Sequence, residues 1–215
     1  ELAPRVLDLA RRARQHRIGV TIDAEEADRL EVSLDVFEAA WTDPSLAGWD
    51  GFGIVVQAYQ KRAPFVIDWT IDLARRHGRR IPLRLVKGAY WDTEIKRAQV
   101  DGVEGYPVFT RKPSTDVSYQ ACARRLLDAT DAIYPMFATH NAQTIAAIHH
   151  MARAKAGGAR DADGGFRYEF QKLHGMGDDL YAEVIPADRL DVPCRVYAPV
   201  GSHEDLLPYL VRRLL

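Results

Sequence analysis

The sequence predicts an α/β fold built on a parallel sheet. Six short apolar runs alternate with longer amphipathic stretches along the 215 residues, and this alternation is typical of repeated strand–helix units. Most of the runs are almost continuously apolar, as expected for parallel strands that are covered on both faces. Right-handed crossovers of this kind build either an open doubly wound sheet or a β/α barrel. A complete barrel needs eight units and about 250 residues, so six units would form a barrel that lacks its first two strands.

The predicted elements follow one another in a regular order. The chain opens with a basic stretch of helical spacing at residues 2–16. The apolar runs predicted as strands are residues 19–22, 53–56, 81–86, 134–138, 168–171 and 195–197. The amphipathic stretches predicted as helices are residues 28–41, 64–76, 94–99, 115–129, 143–155, 178–184 and 203–215. Pro64 suits a first helical turn, Ser202 can act as an N-cap, and the glycine-rich residues 156–165 predict a loop.

Composition and charge exclude several classes of protein. The chain is 47% hydrophobic and has a net charge of -1, which argues against a nucleic-acid groove or a polybasic membrane surface. No apolar run approaches the ~18 residues that a membrane helix needs. Cys122 and Cys194 fit no metal or disulfide spacing, so we expect two reduced thiols in a cytoplasmic protein. The chain starts without a methionine and stops inside an apolar stretch, so we expect it to be a piece of a longer protein.

Polar residues stand at the carboxyl end of every predicted strand. They are Asp23, Gln57, Lys87 with Gly88, Thr139 with His140 and Asn141, Gln171 with Lys172, and Tyr197. In barrels and in open α/β sheets alike, this edge is where active sites are built. A single polar residue at the end of one strand is more often a helix cap or a loop residue. Polar residues at the ends of all six predicted strands indicate an active site.

The third predicted strand carries two cations, Arg84 and Lys87. Side chains alternate between the faces of a strand, so only one of the two can face a barrel interior. An inward Lys87 would indicate Schiff-base chemistry, as in aldolases. An inward Arg84 would indicate stabilisation of an anion or a cofactor, because arginine stays charged and donates several hydrogen bonds. Gly88 permits close approach of the backbone to a ligand.

The remaining candidates are weaker. Tyr209, Arg212 and Arg213 share one flank of the last predicted helix, where they could clamp a carboxylate or form a solvated basic helix end, and composition alone favours the second reading. The sequence has no histidine spacing typical of a metal site, no Walker motif and no glycine-rich dinucleotide motif. A nucleotide would therefore need another mode of binding.

Seven segments together resemble the proline dehydrogenase family. The first is RLVKGAYWD at residues 84–92, and the others are residues 94–99, 106–112, 137–141, 173–177, 195–201 and 209–215. The resemblance runs over nearly the whole chain from about Ile18. It is strongest to the dehydrogenase domain of the bacterial bifunctional proline utilisation proteins, whose second module is a pyrroline-5-carboxylate dehydrogenase that is absent here.

The resemblance implies a fold and an activity. The fold is a distorted (β/α)8 TIM-like barrel with FAD at its carboxyl mouth. The six strands would be its third to eighth, residues 1–215 would form a partial barrel domain, and the first units and the end of the last helix would be missing. The activity is oxidation of L-proline to pyrroline-5-carboxylate by hydride transfer from proline C5 to flavin N5, the first step of proline catabolism to glutamate. A quinone electron acceptor and a peripheral contact with the inner face of the cell membrane are further expectations.

The resemblance also implies roles for particular residues. Asp23 and Arg84 are the expected catalytic residues, with Arg84 near the flavin N5. The expected proline contacts are Tyr90, Leu173, Tyr197, Tyr209, Arg212 and Arg213, the two arginines pairing with the carboxylate. The expected FAD contacts are Ala24, Gln57, Arg84, Val86, Lys87, Gly88, Ala89, Trp91, Thr110, Arg111, Lys112, Thr139, His140, Asn141, Gln171, Lys172 and Leu173.

Overall fold

The computed structural model describes residues 2–155, 160–161, 163–204 and 206–207. Its strands are β1 (Val20–Ile22), β2 (Phe52–Gln57), β3 (Ile81–Val86), β4 (Ile133–Ala138), β5 (Glu169–Leu173) and β6 (Cys194–Tyr197). Its α-helices are α1 (Leu2–Gln15), α2 (Leu30–Trp41), α3 (Ala63–Arg76), α4 (Trp91–Val100), α5 (Lys112–Leu127), α6 (Ala142–Arg153) and α7 (Asp178–Ala182). Two short 3₁₀ helices span Ala27–Arg29 and Pro44–Leu46. The six predicted strands are confirmed.

Two helices begin three residues earlier than the sequence pattern predicts. Helix α4 begins at Trp91 and not at residue 94, and α5 begins at Lys112 and not at residue 115. In α5 the prediction started after Pro113, but a proline in the first turn costs no hydrogen bond because its missing N–H would have no partner within the helix. Most of the last predicted helix, residues 203–215, lies outside the described residues.

The order of the strands decides between the two candidate architectures. The strands form one parallel sheet in the order β1-β2-β3-β4-β5-β6, with helices between successive strands. A doubly wound sheet reverses its strand order at a switch point, whereas strands that follow one another around the sheet are typical of a barrel. The described chain is therefore a partial β/α barrel.

Alternation along β3 separates the core from the inner face of the sheet. Ile81, Leu83 and Leu85 are fully buried and pack in the core with the inward-facing side chains of α3 and α5. Pro82, Arg84 and Val86 point to the other face and are only partly buried. Burial of apolar surface against the helices is the main source of stability for such a sheet. It therefore determines that Ile81, Leu83 and Leu85 face the helices and that Arg84 faces the interior of the partial barrel.

Two features are absent from the described residues. No helix among them is both long and apolar enough to cross a membrane. They contain no group of three or more His, Cys, Asp or Glu side chains that could hold a metal ion.

Candidate active site

A cleft of about 800 Å³ lies at the carboxyl edge of the sheet. Its walls come from the residues at the ends of β1, β2, β3, β4 and β6, because parallel strands present these ends at one edge. The predicted site residues that line it are Asp23, Ala24, Gln57, Arg84, Val86, Lys87, Gly88, Ala89, Tyr90, Lys112, Thr139, His140, Asn141 and Tyr197. Residues that were not predicted also line it, namely Glu25, Val55, Ala138, Ala198 and Pro199.

Arg84 is the inward cation of β3. Its guanidinium forms an ion pair with Asp23 and lies 5.5 Å from the centre of the Tyr197 ring, so it joins the ends of β1, β3 and β6. Its side chain is 18% exposed, whereas that of Asp23 is 70% exposed. Arginine carries its charge at every accessible pH, and the cleft therefore holds a fixed positive charge at its wall.

Lys87 is turned towards helix α5. Its Nζ donates to one carboxylate oxygen of Asp116 at 2.5 Å, and Lys112 donates to the other at 2.9 Å. The hydrogen bond from Lys87, assisted by Lys112, holds the pKa of Asp116 below its usual range against the opposing effect of burial. The strand thus presents Arg84 along its inner face, and the Schiff-base interpretation, which needs an inward Lys87, lacks that geometry.

Gln57, the last residue of β2, joins the loops after β1 and β3 beneath the cleft. Its side chain is 3% exposed. Its Nε2 donates to the backbone oxygen of Glu25 at 2.7 Å, and its Oε1 accepts from the backbone N–H of Ala89 at 3.3 Å. The amide still has one N–H and one lone pair for another group. Gln57 can therefore fix the loops after β1 and β3 and also contact a ligand.

Gly88 places bare backbone over a buried aromatic ring. Its φ angle is +143°, and a Cβ there would lie 2.4 Å from the ring of Tyr59, so only glycine fits. The Tyr59 N–H donates to the backbone oxygen of Lys87 at 2.7 Å, and burial raises the pKa of the Tyr59 hydroxyl. Backbone held in this way can approach a ligand more closely than backbone that carries side chains.

The end of β4 supplies a cap and a histidine. Asn141 caps α6 by accepting from the N–H of Thr144 at 2.9 Å, and the hydroxyl of Thr139 accepts from the N–H of Asn141 at 3.2 Å. The Nε2 of His140 accepts from the N–H of Leu173 at 3.0 Å. These contacts fix the loop that carries Thr139, His140 and Asn141 at the wall of the cleft.

Several predicted residues do not line the cleft. Gln171 lies deeper on the inner face and donates to Glu169 at 2.8 Å, whereas Lys172 points to the other face and pairs with Asp178. Trp91 donates to the backbone oxygen of Phe109 at 2.9 Å. Those that lie away from the cleft wall are Trp91, Thr110, Arg111, Gln171, Lys172 and Leu173. Those outside the described residues are Tyr209, Arg212 and Arg213.

A buried acid on the inner face was not predicted. Glu169 is 4% exposed and accepts from Arg195 Nε at 2.8 Å and from its second guanidinium nitrogen at 3.0 Å. Tyr134 also donates to it at 3.4 Å, and burial, with the nearby carboxylate, raises the pKa of Tyr134 to about 12. The available signal was a charged residue at the start of an apolar strand, since a buried charge requires partners.

A parallel β/α sheet with a polar cleft at its carboxyl edge is the organisation of the β/α-barrel enzymes. The proline dehydrogenase family model matches residues 1–215, and the chain belongs to that family. The resemblance found in the sequence motifs is thereby confirmed.

Individual relatives agree with this assignment. The chain is 62% identical over 218 residues to the bifunctional protein PutA of Klebsiella aerogenes, a match that covers 100% of this chain and 16% of the relative. It is 61% identical to the PutA protein of Rhizobium meliloti, covering 17% of that protein. A crystal structure of a proline utilization A variant from Bradyrhizobium japonicum superposes with a TM-score of 0.90 at 58% identity, covering 100% of this chain and 21% of that one. The chain therefore spans about a sixth of the length of these curated relatives.

Proposed function

We propose that this chain forms the proline-oxidising centre of a flavin-dependent dehydrogenase, which converts L-proline to pyrroline-5-carboxylate as the first step of proline catabolism to glutamate. The observation that carries the proposal is the position of Arg84, which Asp23 and Tyr197 fix at the carboxyl mouth of the partial barrel. Membership of the proline dehydrogenase family supports the same reaction.

The lining of the cleft supports a flavin dinucleotide as its ligand. A flavin presents a flat ring with a polar edge, and a dinucleotide adds two negatively charged phosphates. The cleft offers apolar wall at Val55, Val86 and Ala138, and cations at Arg84, Lys87 and Lys112. The bare backbone at Gly88 and the open N–H of Gln57 add close contacts for such a group. We therefore propose FAD as the cofactor, held by the cleft residues that the resemblance assigns to it, and the bound flavin would supply the acceptor for the hydride.

The protein's own residues would bind and orient the substrate. Arg84 would stabilise the negative charge that develops beside it during the reaction, since a preorganised charge in a cleft costs no reorganisation. Asp23 would hold Arg84 in place, and Tyr90 and Tyr197 would flank the proline ring. Sequence resemblance alone supports contacts of the proline with Leu173 and Tyr209 and a pairing of its carboxylate with Arg212 and Arg213.

The wider context is also a proposal. The relatives are much longer than this chain and are named bifunctional, which supports a second, pyrroline-5-carboxylate dehydrogenase module in the protein that carries it. We propose a quinone as the electron acceptor, and a cytoplasmic location with peripheral contact at the inner face of the cell membrane. Resemblance to the family supports both.

Visible absorption spectra test the proposed function. The purified protein that carries this chain should show a flavin spectrum, and anaerobic addition of L-proline should bleach it. A flavin spectrum that proline leaves unchanged would contradict the proposal. Treatment with borohydride in the presence of substrate tests the Schiff-base alternative, and covalent trapping of substrate on Lys87 would favour that alternative.

A further inference from the structure

We propose that Glu25 is a positioning residue that directs the hydroxyl hydrogen of Tyr90, so that the phenolic oxygen accepts a hydrogen bond from the amine of the substrate. Glu25 lies among the cleft residues that the sequence motifs did not single out. The proposal deepens the proposed function and rests on it, because it assigns a substrate contact within the same cleft.

Glu25 is anchored at two points. Its backbone oxygen accepts from the Nε2 of Gln57 at 2.7 Å, and Gln57 itself is buried. Its carboxylate oxygen Oε2 accepts from the hydroxyl of Tyr90 at 2.8 Å. Since Gln57 also accepts from the N–H of Ala89, the loops after β1 and β3 are joined twice, once beneath the cleft and once at its wall.

This arrangement fixes the direction of the Tyr90 hydrogen bond. A phenol has one hydrogen to donate, and an ionised carboxylate can only accept. In this contact the hydrogen of Tyr90 points to Glu25, so the Tyr90 oxygen meets any further partner, a ligand included, as an acceptor. Tyr90 and Arg84 both line the cleft, and Arg84 can only donate.

Arg84 and Tyr90 thus offer opposite hydrogen-bonding groups at the wall of one cleft. The donors of Arg84 suit an anionic or electron-rich group, and the oxygen of Tyr90 suits the N–H of a secondary amine. An amide at position 25 could donate as well as accept, so Glu25→Gln would no longer impose one direction on the Tyr90 hydroxyl. The specificity of the cleft for an amine would then fall.

Steady-state kinetics on the protein that carries this chain test the proposal. Glu25→Gln and Tyr90→Phe should each raise the KM for L-proline about tenfold, the loss typical of one hydrogen bond to a charged group, while kcat changes by less than about threefold. The double variant should be no worse than Tyr90→Phe alone, because both changes remove one shared interaction. Glu104→Gln, an exposed acid outside the cleft, is the matched control and should leave KM unchanged.

A ligand without an N–H separates positioning from general damage. Tetrahydro-2-furoic acid, in which an ether oxygen replaces the ring N–H of proline, should inhibit Glu25→Gln at least as strongly as it inhibits the wild type, because a hydroxyl of Tyr90 that is no longer directed to Glu25 can donate to the ether oxygen. Equal weakening of the inhibitor and of proline would overturn the role of Glu25, as would an unchanged KM or additive effects in the double variant.

The two proposals fail in different ways. A wild-type protein that proline does not bleach overturns the proposed function, and the role of Glu25 falls with it. A wild type that bleaches, together with a Glu25→Gln variant of unchanged KM, overturns the role of Glu25 alone.

Discussion

The cation on the inner face of β3 is held from two sides. Asp23 pairs with Arg84 from the end of β1, and the Tyr197 ring lies beside it from the end of β6. Cation–π contact and ion pairing both hold a guanidinium in one orientation. Residues from three strands therefore determine where this charge lies in the cleft.

We expect Arg84→Ala to lower kcat/KM for L-proline at least about 100-fold. Removal of one preorganised stabilising group from an active site typically has an effect of this size. Arg84→Lys keeps the charge but loses the planar fork of donors, so its activity should be intermediate. Steady-state kinetics would measure both. Arg75→Ala is a control, because Arg75 is an arginine whose exposed ion pair with Asp131 lies outside the cleft. Activity of Arg84→Ala within threefold of wild type would contradict the role proposed for Arg84.

Gly88 supplies a second prediction at this scale. An added Cβ would overlap the Tyr59 ring, and overpacking of this kind costs about 2 kcal/mol. We expect Gly88→Ala to lower the free energy of unfolding by that amount more than Gly78→Ala does. Gly78 is the matched control because it also has a positive φ, of +60°, but an added Cβ would meet nothing within 4 Å. Urea unfolding would measure the free energy of unfolding of both variants. Equal unfolding midpoints would contradict the prediction, because they would show that the Tyr59 ring can move to make room for the added Cβ.

At the scale of elements, an ion-pair cluster joins β3 to helix α5. Asp116, in the second turn of α5, accepts from Lys87 just beyond β3 and from Lys112 one turn earlier in the helix. The Asp116 side chain is 34% exposed, so solvent screening limits its contribution to stability to less than about 1 kcal/mol. The cluster still ties the position of Lys87 to that of the helix.

Acid unfolding should reveal this cluster. The pKa of Asp116 is lowered in the folded protein, so its stabilising effect is fully present above its unfolded pKa of ~3.9. The effect is lost as the pH falls through the lower folded value. We expect stability to fall less steeply with acid below about pH 4 in Asp116→Asn than in wild type, as followed by thermal unfolding at several pH values. Parallel curves for the two proteins would contradict the prediction.

Element boundaries show where local sequence is informative. The strands could be predicted because each is a short apolar run bounded by polar or glycine residues. The start of α5 could not, because Pro113 is compatible both with a loop and with a first helical turn. The resemblance predicts FAD contacts for both Gln171 and Lys172, whereas adjacent strand residues point to opposite faces. The structure accordingly pairs Lys172 with Asp178 on the other face.

At the scale of the whole molecule, the local sequence pattern could not predict the order in which the strands pair in the sheet. Six strand–helix units predicted a parallel sheet, but order in a sheet depends on contacts between distant segments and not on local pattern. The resemblance chose the barrel, and the observed order agrees with it. The polar strand ends, such as Asp23, His140 and Tyr197, could be placed at one edge by topology alone. Glu25 could not, because its contact with Tyr90 depends on how two loops fold over that edge.

The same topology leaves two strands at the edges of the sheet. In the part of the chain that the structure describes, β1 pairs only with β2, and β6 pairs only with β5. An edge strand presents unpaired backbone groups that can pair with another chain. We therefore expect the 215-residue chain, expressed alone, to self-associate increasingly as its concentration rises, because its edges can pair between copies.

Sedimentation velocity over a tenfold or wider range of concentration would measure this association. The longer protein that carries the chain is the control, and it should sediment as one species over the same range. Pairing of the edge strands β1 and β6 with other parts of the longer protein would also keep the strand ends around the cleft in position. In that case the chain alone should retain less flavin per mole than the longer protein. A chain that stays monomeric throughout and retains a full complement of flavin would show that these edges neither drive association nor limit the cleft.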